Sequence, residues 1–179
     1  MCENMDQAEF FCVEYESGNL YFSGAIDMES AHTLATFLRQ VEQEKAELAD
    51  KTVNLYLTSD GGSLHDALKL HDIMKNSPLN IIVTAEGWVA SSATLLLCAA
   101  KKARITKHSY LLLHEFNSSS ATNYSNLEGY MKHLDHLMTS VLGIYNSKLK
   151  QPISKEHICR DWFLGAYEAL DLGLVDEVV

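Results

Sequence analysis

The stretch Val53-Asn54-Leu55-Tyr56-Leu57-Thr58-Ser59-Asp60-Gly61-Gly62-Ser63 decides how the chain is read, together with Ile81-Ile82-Val83-Thr84 and Gly87-Trp88-Val89-Ala90-Ser91-Ser92-Ala93-Thr94 downstream. In both places a short apolar run leads into glycine and small hydroxylated residues, and a helical pattern follows. That order predicts a buried strand, a tight turn and a helix. Helix starts carry unpaired N–H groups and a partial positive charge. Two such starts aimed at one point, with a hydroxyl between them, meet the needs of acyl transfer: a nucleophile, N–H donors for an oxyanion, and backbone that glycine lets come close to substrate.

Upstream, Phe10-Phe11-Cys12-Val13-Glu14-Tyr15 and Leu20-Tyr21-Phe22-Ser23 flank Glu16-Ser17-Gly18-Asn19, which predicts a hairpin. Asp27 reads as the N-cap of an amphipathic helix that presents Ala31, Leu34, Ala35, Leu38 and Val41 at three-to-four spacing. The helix after the first glycine turn presents Leu64, Ala67, Leu68 and Ile73 and ends at Asn76-Ser77-Pro78. Ala93 to Ala100 is apolar nearly all round, the mark of a fully buried helix. Lys101-Lys102-Ala103-Arg104 reads as the positive end of that helix. Ile105-Thr106 and Tyr110-Leu111-Leu112-Leu113 read as strands.

A long helix is expected over residues 126–150, with Leu127, Tyr130, Met131, Leu134, Leu137, Met138, Val141, Leu142 and Tyr145 on a stripe broad enough for two surfaces. Gln151-Pro152 stops it, Ser154 caps a short helix, and Gly165 to Leu172 forms another that Gly173 ends. Leu174 to Val178 closes as a strand or extended tail. Strands alternating with helices predict a mostly parallel α/β sheet buried on both faces.

With 179 residues, 47% of them hydrophobic, the chain fits one domain over 1–179. A formal net charge of −10 argues against a surface built for nucleic acid. Cys2, Cys12, Cys98 and Cys159 are scattered without a CxxC pair, so no disulfide framework or zinc knuckle is expected and a reducing compartment is the default. No apolar run reaches membrane-spanning length, and Met1-Cys2-Glu3-Asn4-Met5-Asp6 is acidic. These features predict a cytoplasmic protein.

Ser91 is the nucleophile candidate because a strand-to-helix turn holds its hydroxyl outward, with the Ser92 N–H facing the same space. A capping role for Ser91, or Ser92 as the nucleophile, fits the local sequence as well. His114 is the eligible base, at the end of an apolar strand where parallel-sheet sites collect; a hydrogen-bonded strand-end histidine is the other reading. Asp161, in Cys159-Arg160-Asp161-Trp162-Phe163, is the carboxylate that would fix the imidazole tautomer, and a surface ion pair or a helix cap is its alternative. His133 and His136 are three apart on the long helix, a metal-ligand spacing, yet no further ligand pair joins them in the sequence. They are read as solvated or core histidines, and His65 and His71 as structural.

In combination these segments resemble the proteolytic subunit of the Clp protease, a serine peptidase of the ClpP/crotonase superfamily. The resemblance runs from Leu20 to Val179. Leu20-Tyr21-Phe22-Ser23-Gly24-Ala25-Ile26-Asp27 is similar to the family's first core strand and turn, and Ser59-Asp60-Gly61-Gly62 to its Ser-Pro-Gly-Gly turn. Gly87-Trp88-Val89-Ala90-Ser91-Ser92 is similar to Gly-Gln-Ala-Ala-Ser-Met, Tyr110 to His114 to the strand that ends in the catalytic histidine, and Arg160-Asp161-Trp162-Phe163-Leu164 to the segment of the catalytic aspartate.

The resemblance implies a ClpP/crotonase-like spiral of βαβ units with a mostly parallel sheet, and a handle made by the loop and helix over 117–150. It implies Ser91, His114 and Asp161 as catalytic residues, the amides of Gly62 and Ser92 as the oxyanion hole, and no cofactor or metal. It further implies peptide or unfolded protein substrates and homo-oligomeric rings, usually heptameric and often stacked. Asp60 replaces the turn proline, Ser92-Ala93 replaces Met-Gly, Glu115-Phe116 replaces Gln-Pro, and Asn117 to Tyr124 lacks paired glycines. Residues 1–19 diverge most, which leads to the expectation of a peptidase that works without a Clp ATPase. The competing expectations are a catalytically silent ring subunit and a crotonase-type acyl-CoA enzyme.

Overall fold

The hairpin comes first in the fold. In the computed structural model, which describes residues 12–16, 18–118 and 123–179, β1 (Cys12–Glu16) and β2 (Asn19–Ser23) pair antiparallel with Glu16 opposite Asn19. Phe10 and Phe11, read as part of the first strand, lie outside the described residues. Helix α1 (Met28–Glu44) starts at Asp27, whose carboxylate accepts from the Ser30 N–H at 2.8 Å while Ser30 Oγ accepts from the Asp27 N–H at 2.9 Å. This reciprocal cap satisfies two otherwise orphaned donors. The helix buries Ala31, Leu34, Ala35, Leu38 and Val41, the face expected from spacing.

Strand β3 (Thr52–Ser59) runs parallel to β2 and buries every second residue fully: Val53, Leu55, Leu57 and Ser59. Its other face is only partly covered. There Asn54 donates to the Asn19 side chain at 3.0 Å, and Tyr56 stacks on Tyr21 with ring centroids 5.0 Å apart. Helix α2 (Leu64–Asn76), capped by Ser63, turns Ala67, Leu70, His71 and Met74 inward, while Leu64, Leu68 and Ile73 are partly buried against the core.

Strand β4 (Asn80–Ala90) is longer than the sequence suggested. It pairs with β3 on one side; on the other, Ile82 to Ala85 pair with β5 (Lys102–Ile105) and Trp88 to Ala90 with β6 (Tyr110–Leu113), all parallel. Gly87, at φ +65°, sits where β4 changes partners, and its N–H donates to Ser109 Oγ at 2.6 Å. The β3 register shifts between Leu57 and Ser59 opposite this point. Gly87 therefore serves an irregularity inside a strand. The turn into the helix begins only at Ser91, which opens a single 3-10 turn (Ser91–Ala93) ahead of the wholly buried α3 (Thr94–Ala99).

Lys102 and Arg104 lie on β5 and not at a helix end. They face Glu177 of β8 (Glu177–Val178), parallel to β5, at 2.6 and 3.0 Å. A strand supplies these cations with a carboxylate one spacing away, which a helix terminus would have offered only as a partial charge. Helix α4 (Leu127–Lys148) follows a 3-10 turn at Tyr124–Asn126 and buries Met138, Val141 and Tyr145, while Leu127 and Met131 stay 46% and 52% exposed. Its stripe is thus half used. Beyond α5 (Lys155–Ile158) comes β7 (Trp162–Gly165), antiparallel to β6 and unforeseen from the sequence; α6 (Ala166–Leu172) then ends at Gly173, φ +87°. The mostly parallel α/β sheet and the long helix match the expected class. Among the described residues no helix is long and apolar enough to cross a membrane.

Asp176 ties α4 to the sheet, accepting from the Ala103 N–H and from Lys148 Nζ, each at 2.7 Å. Burial works against its charge, but these two donors and the Lys148 charge outweigh it and hold its pKa below the ordinary 3.8. A depressed folded-state pKa gives stability that is complete above the unfolded value and is lost as pH falls through the folded one. The Asp176 side chain is 41% exposed, so the contribution is about 1 kcal/mol or less. Thermal melts of Asp176→Asn should therefore lie up to about 2–4 °C below the parent at pH 7, with the gap closing as pH falls below the ordinary carboxylate value of 3.8. A gap that persists at acid pH would contradict this assignment.

Candidate active site

Ser91 has φ +55°, the sole positive value outside glycine among the described residues. A non-glycine residue held there costs about 1–3 kcal/mol and persists only where its surroundings over-determine it. The surroundings are identifiable. Thr94 Oγ1 donates to the Ser91 carbonyl at 2.6 Å and sits 2.6 Å from the Tyr145 hydroxyl. Since the threonine proton is already used, Tyr145 donates to Thr94. Tyr145 is buried, and burial pushes its pKa up, which keeps the phenol a donor. The long helix thereby reaches across and pins the corner.

The glycine turn packs on the same corner. Gly61, at φ +89°, lies so close that a Cβ there would be 2.7 Å from the Ala90 carbonyl and 2.8 Å from Ser91 Cβ. Ser92 Oγ donates to the Gly62 carbonyl at 3.2 Å. On the far side the turn is stitched to Ile26, whose N–H donates to Gly61 at 2.8 Å and whose carbonyl accepts from Ser63 at 2.7 Å. Gly62 itself has φ +143°, and among the described residues its N–H meets no acceptor. Ser92, second in its 3-10 turn, has no acceptor one turn earlier in that helix.

His114 follows the last residue of β6 and is half-buried. It lines a cleft of about 780 Å³ together with Ser91, Gly62, Asp60 and Phe116. Beside this cleft Ser91 and His114 also border an apolar recess walled by Leu95, Phe116, Met138, Val141 and Ile158. Ser91 and His114 thus share two cavities without a hydrogen bond between them. Catalytic hydrogen bonds are often long before substrate binds.

Asp161 is placed by β7. Leu113 pairs with Trp162, so His114 and Asp161 each lie one residue beyond the last paired position of β6 and β7. The Glu115 N–H donates to the Ile158 carbonyl at 2.7 Å and keeps the two segments together past the strand ends. The Asp161 side chain is exposed, lines neither cavity and makes no hydrogen bond among the described residues. Both residues leave the same end of the β6–β7 pair, and the carboxylate–imidazole bond is not made.

The remaining candidates separate clearly. His71 is buried and pairs with Asp72 at 3.0 Å. His133 and His136 are exposed on α4, and among the described residues no group of three or more His, Cys, Asp or Glu is arranged to hold a metal. Burial raises the Cys98 thiol to about 12, which leaves it inert. Sequence reading missed Thr94, Tyr145 and Gly61 as supports of the corner. A hydroxyl three residues after the serine was the one local signal, since that spacing reaches back to the serine carbonyl.

A strained serine at a strand end, a paired-glycine turn against it and a histidine on the adjoining strand, all on a mostly parallel α/β sheet, define a ClpP-like protein. The chain belongs to the Clp protease family, whose model it matches over residues 7–179. It is 26% identical over 164 residues to the ATP-dependent Clp protease proteolytic subunit 1 of Synechococcus sp. strain CC9902, covering 89% of this chain and 82% of that one. Over 169 residues it is 26% identical to the ATP-dependent Clp protease proteolytic subunit 3 of Rhizobium johnstonii, covering 92% of this chain and 85% of that one.

Proposed function

We propose that the chain is a serine peptidase in which Ser91 is the nucleophile, His114 the general base and then acid, and Asp161 the group that orients His114. The observation that carries this reading is the strained Ser91, braced by Thr94 and the glycine turn, opening onto the same cleft as His114. Ser91 Oγ attacks the scissile carbonyl as its proton passes to His114, and the carbonyl oxygen takes the negative charge. The N–H groups of Gly62 and Ser92 receive that oxyanion, a contribution of about 3–4 kcal/mol per donor in such chemistry. The intermediate collapses as His114 protonates the leaving amine. Water, activated by His114, then hydrolyses the acyl-serine and regenerates both groups. No cofactor enters this cycle.

The recess next to Ser91 is lined mainly by apolar side chains, among them Leu95, Phe116, Met138, Val141 and Ile158. Homo-oligomeric ring assembly is supported by the uncovered half of the α4 stripe, where Leu127 and Met131 stand exposed beside Tyr124 at 94%. Ring closure against a neighbouring copy is also a means of drawing the exposed Asp161 onto His114. A catalytically silent subunit is the second reading, favoured by the same unpaired carboxylate.

Short unstructured peptides need no unfolding, so the purified, assembled chain is expected to hydrolyse a fluorogenic peptide set without nucleotide and to leave acyl-CoA thioesters intact. Assembled protein with no turnover above buffer on any peptide would overturn the peptidase reading in favour of the silent one.

A further inference from the structure

Ser92 bears on the site through two different groups. Its N–H is one of the two donors offered to the oxyanion, and its Oγ, on a residue only 7% exposed, donates to the Gly62 carbonyl at 3.2 Å. A hydroxyl has a single proton, so this bond commits the Ser92 side chain to the glycine turn. It is also the one hydrogen bond among the described residues that joins residues 60–63 to the Ser91–Ala93 turn.

The two peptides of the turn show what that bond holds. Both are trans, so the carbonyl and the N–H of each point in opposite directions. In the Gly61–Gly62 peptide the carbonyl accepts from the Ile26 N–H at 2.8 Å, which turns the Gly62 N–H away from Ile26. In the Gly62–Ser63 peptide the N–H donates to the Ile26 carbonyl at 2.7 Å, and the carbonyl accepts from Ser92 Oγ. Ile26 thus holds one end of each peptide and Ser92 the other end of the second. Among the described residues the Gly62 N–H alone stays open, on a residue that lines the cleft with Ser91.

We infer that the Ser92 hydroxyl is a positioning group for the oxyanion hole: it ties the peptide beyond Gly62 to the residue that carries the second donor, and so sets the spacing of the Gly62 and Ser92 N–H groups. The inference rests on the peptidase reading, within which it gives Ser92 a side-chain role separate from that of its amide. Gly62, at φ +143°, has no side chain to restrain its own rotation, so the restraint has to come from its neighbours. Donors of this kind work only within about 2.7–3.1 Å of the developing charge. A displacement of about 1 Å in such a site costs up to about a hundredfold in rate.

Ser92→Ala removes the hydroxyl and keeps the N–H, which makes it the direct test. Counted per Ser91 titrated with a fluorophosphonate, kcat on a peptide substrate is expected to fall about 10–30-fold while KM changes less than about twofold. A peptide aldehyde, which adds to Ser91 and leaves its oxygen in the hole, should bind more weakly by the same factor as kcat/KM. Independently of catalysis, the Ser63 N–H should exchange with solvent at least about threefold faster in Ser92→Ala than in the parent. Parental kcat per titrated site would overturn the positioning role, even with a lowered melting temperature, because the hydroxyl would then serve stability alone. A loss carried by KM, with aldehyde binding unchanged, would overturn it as well. A parent that neither hydrolyses peptides nor takes up the fluorophosphonate would overturn the peptidase reading instead, and the exchange measurement then decides the tie between Ser92 and the turn: unchanged Ser63 exchange refutes it.

Discussion

Ser91→Ala is expected to lower kcat for peptide hydrolysis by about four to six orders of magnitude while the protein folds as before. In a triad the nucleophile, base and orienting carboxylate act as one unit, so losing the serine removes nearly all that the unit contributes. The residue left behind retains the cleft and the amides of Gly62 and Ser92, and residual turnover reports those alone. Folding is spared because Ser91 Oγ makes no hydrogen bond among the described residues, and alanine tolerates φ +55° no better and no worse than serine. Ser91→Gly separates the two roles of the position. It is equally inactive, yet it relieves the left-handed backbone and should melt above the parent by about 1 kcal/mol of stability. Steady-state kinetics with melting curves on the three proteins check this; a Ser91→Ala chain with parental turnover refutes the nucleophile assignment.

Gly62→Ala carries the largest expected loss of stability. A Cβ at this position would sit 2.2 Å from the Ile26 carbonyl oxygen, at a φ of +143° that suits only glycine. The obstruction is backbone on both sides, and neither can yield without breaking the two hydrogen bonds that tie Ile26 to Gly61 and Ser63. The expected loss is about 3–5 kcal/mol, or roughly 10 °C in melting temperature for a chain of this size. Any folded fraction should also have lost most of its hydrolytic activity, because the turn that presents the Gly62 N–H has moved. Gly87→Ala provides the comparison. Its Cβ would meet nothing within 4 Å, so only the φ of +65° opposes it, and a loss near 1 kcal/mol is expected. Equal losses at the two glycines would show that close approach at Gly62 is not what the position demands.

How much of this was legible in the sequence depends on the scale of the interaction. Local signals were reliable: Asp27 with Ser30 forms its cap, α1 buries the residues its spacing selects, and Gly173 closes α6 in the left-handed conformation. Signals that depend on which strand lies alongside were not. Gly87 reads as a turn because glycine before small residues usually is one, but β4 continues through it to exchange β5 for β6. Lys102 and Arg104 read as a helix end until β8 supplies Glu177 beside them. Trp162 to Gly165 is too short and too irregular in pattern to announce itself, and it becomes β7 only through its pairing with β6.

The candidate site divides in the same way. The glycine turn, Ser91 and His114 are visible as motifs, and they line one cleft. Thr94 and Tyr145, which brace the serine, stand 51 positions apart and have no sequence signature as a pair. Their contact arises from α4 lying across α3, and neither helix encodes it alone.

The central claim is that Ser91 is an activated nucleophile, and covalent trapping tests it most directly. The purified protein is treated with a serine-directed fluorophosphonate, and the adduct is located by peptide mass mapping. One adduct per chain is predicted on the peptide that holds Ser91, absent from Ser91→Ala and strongly slowed in His114→Ala. An unlabelled parent, or an adduct that survives in Ser91→Ala, would contradict the account.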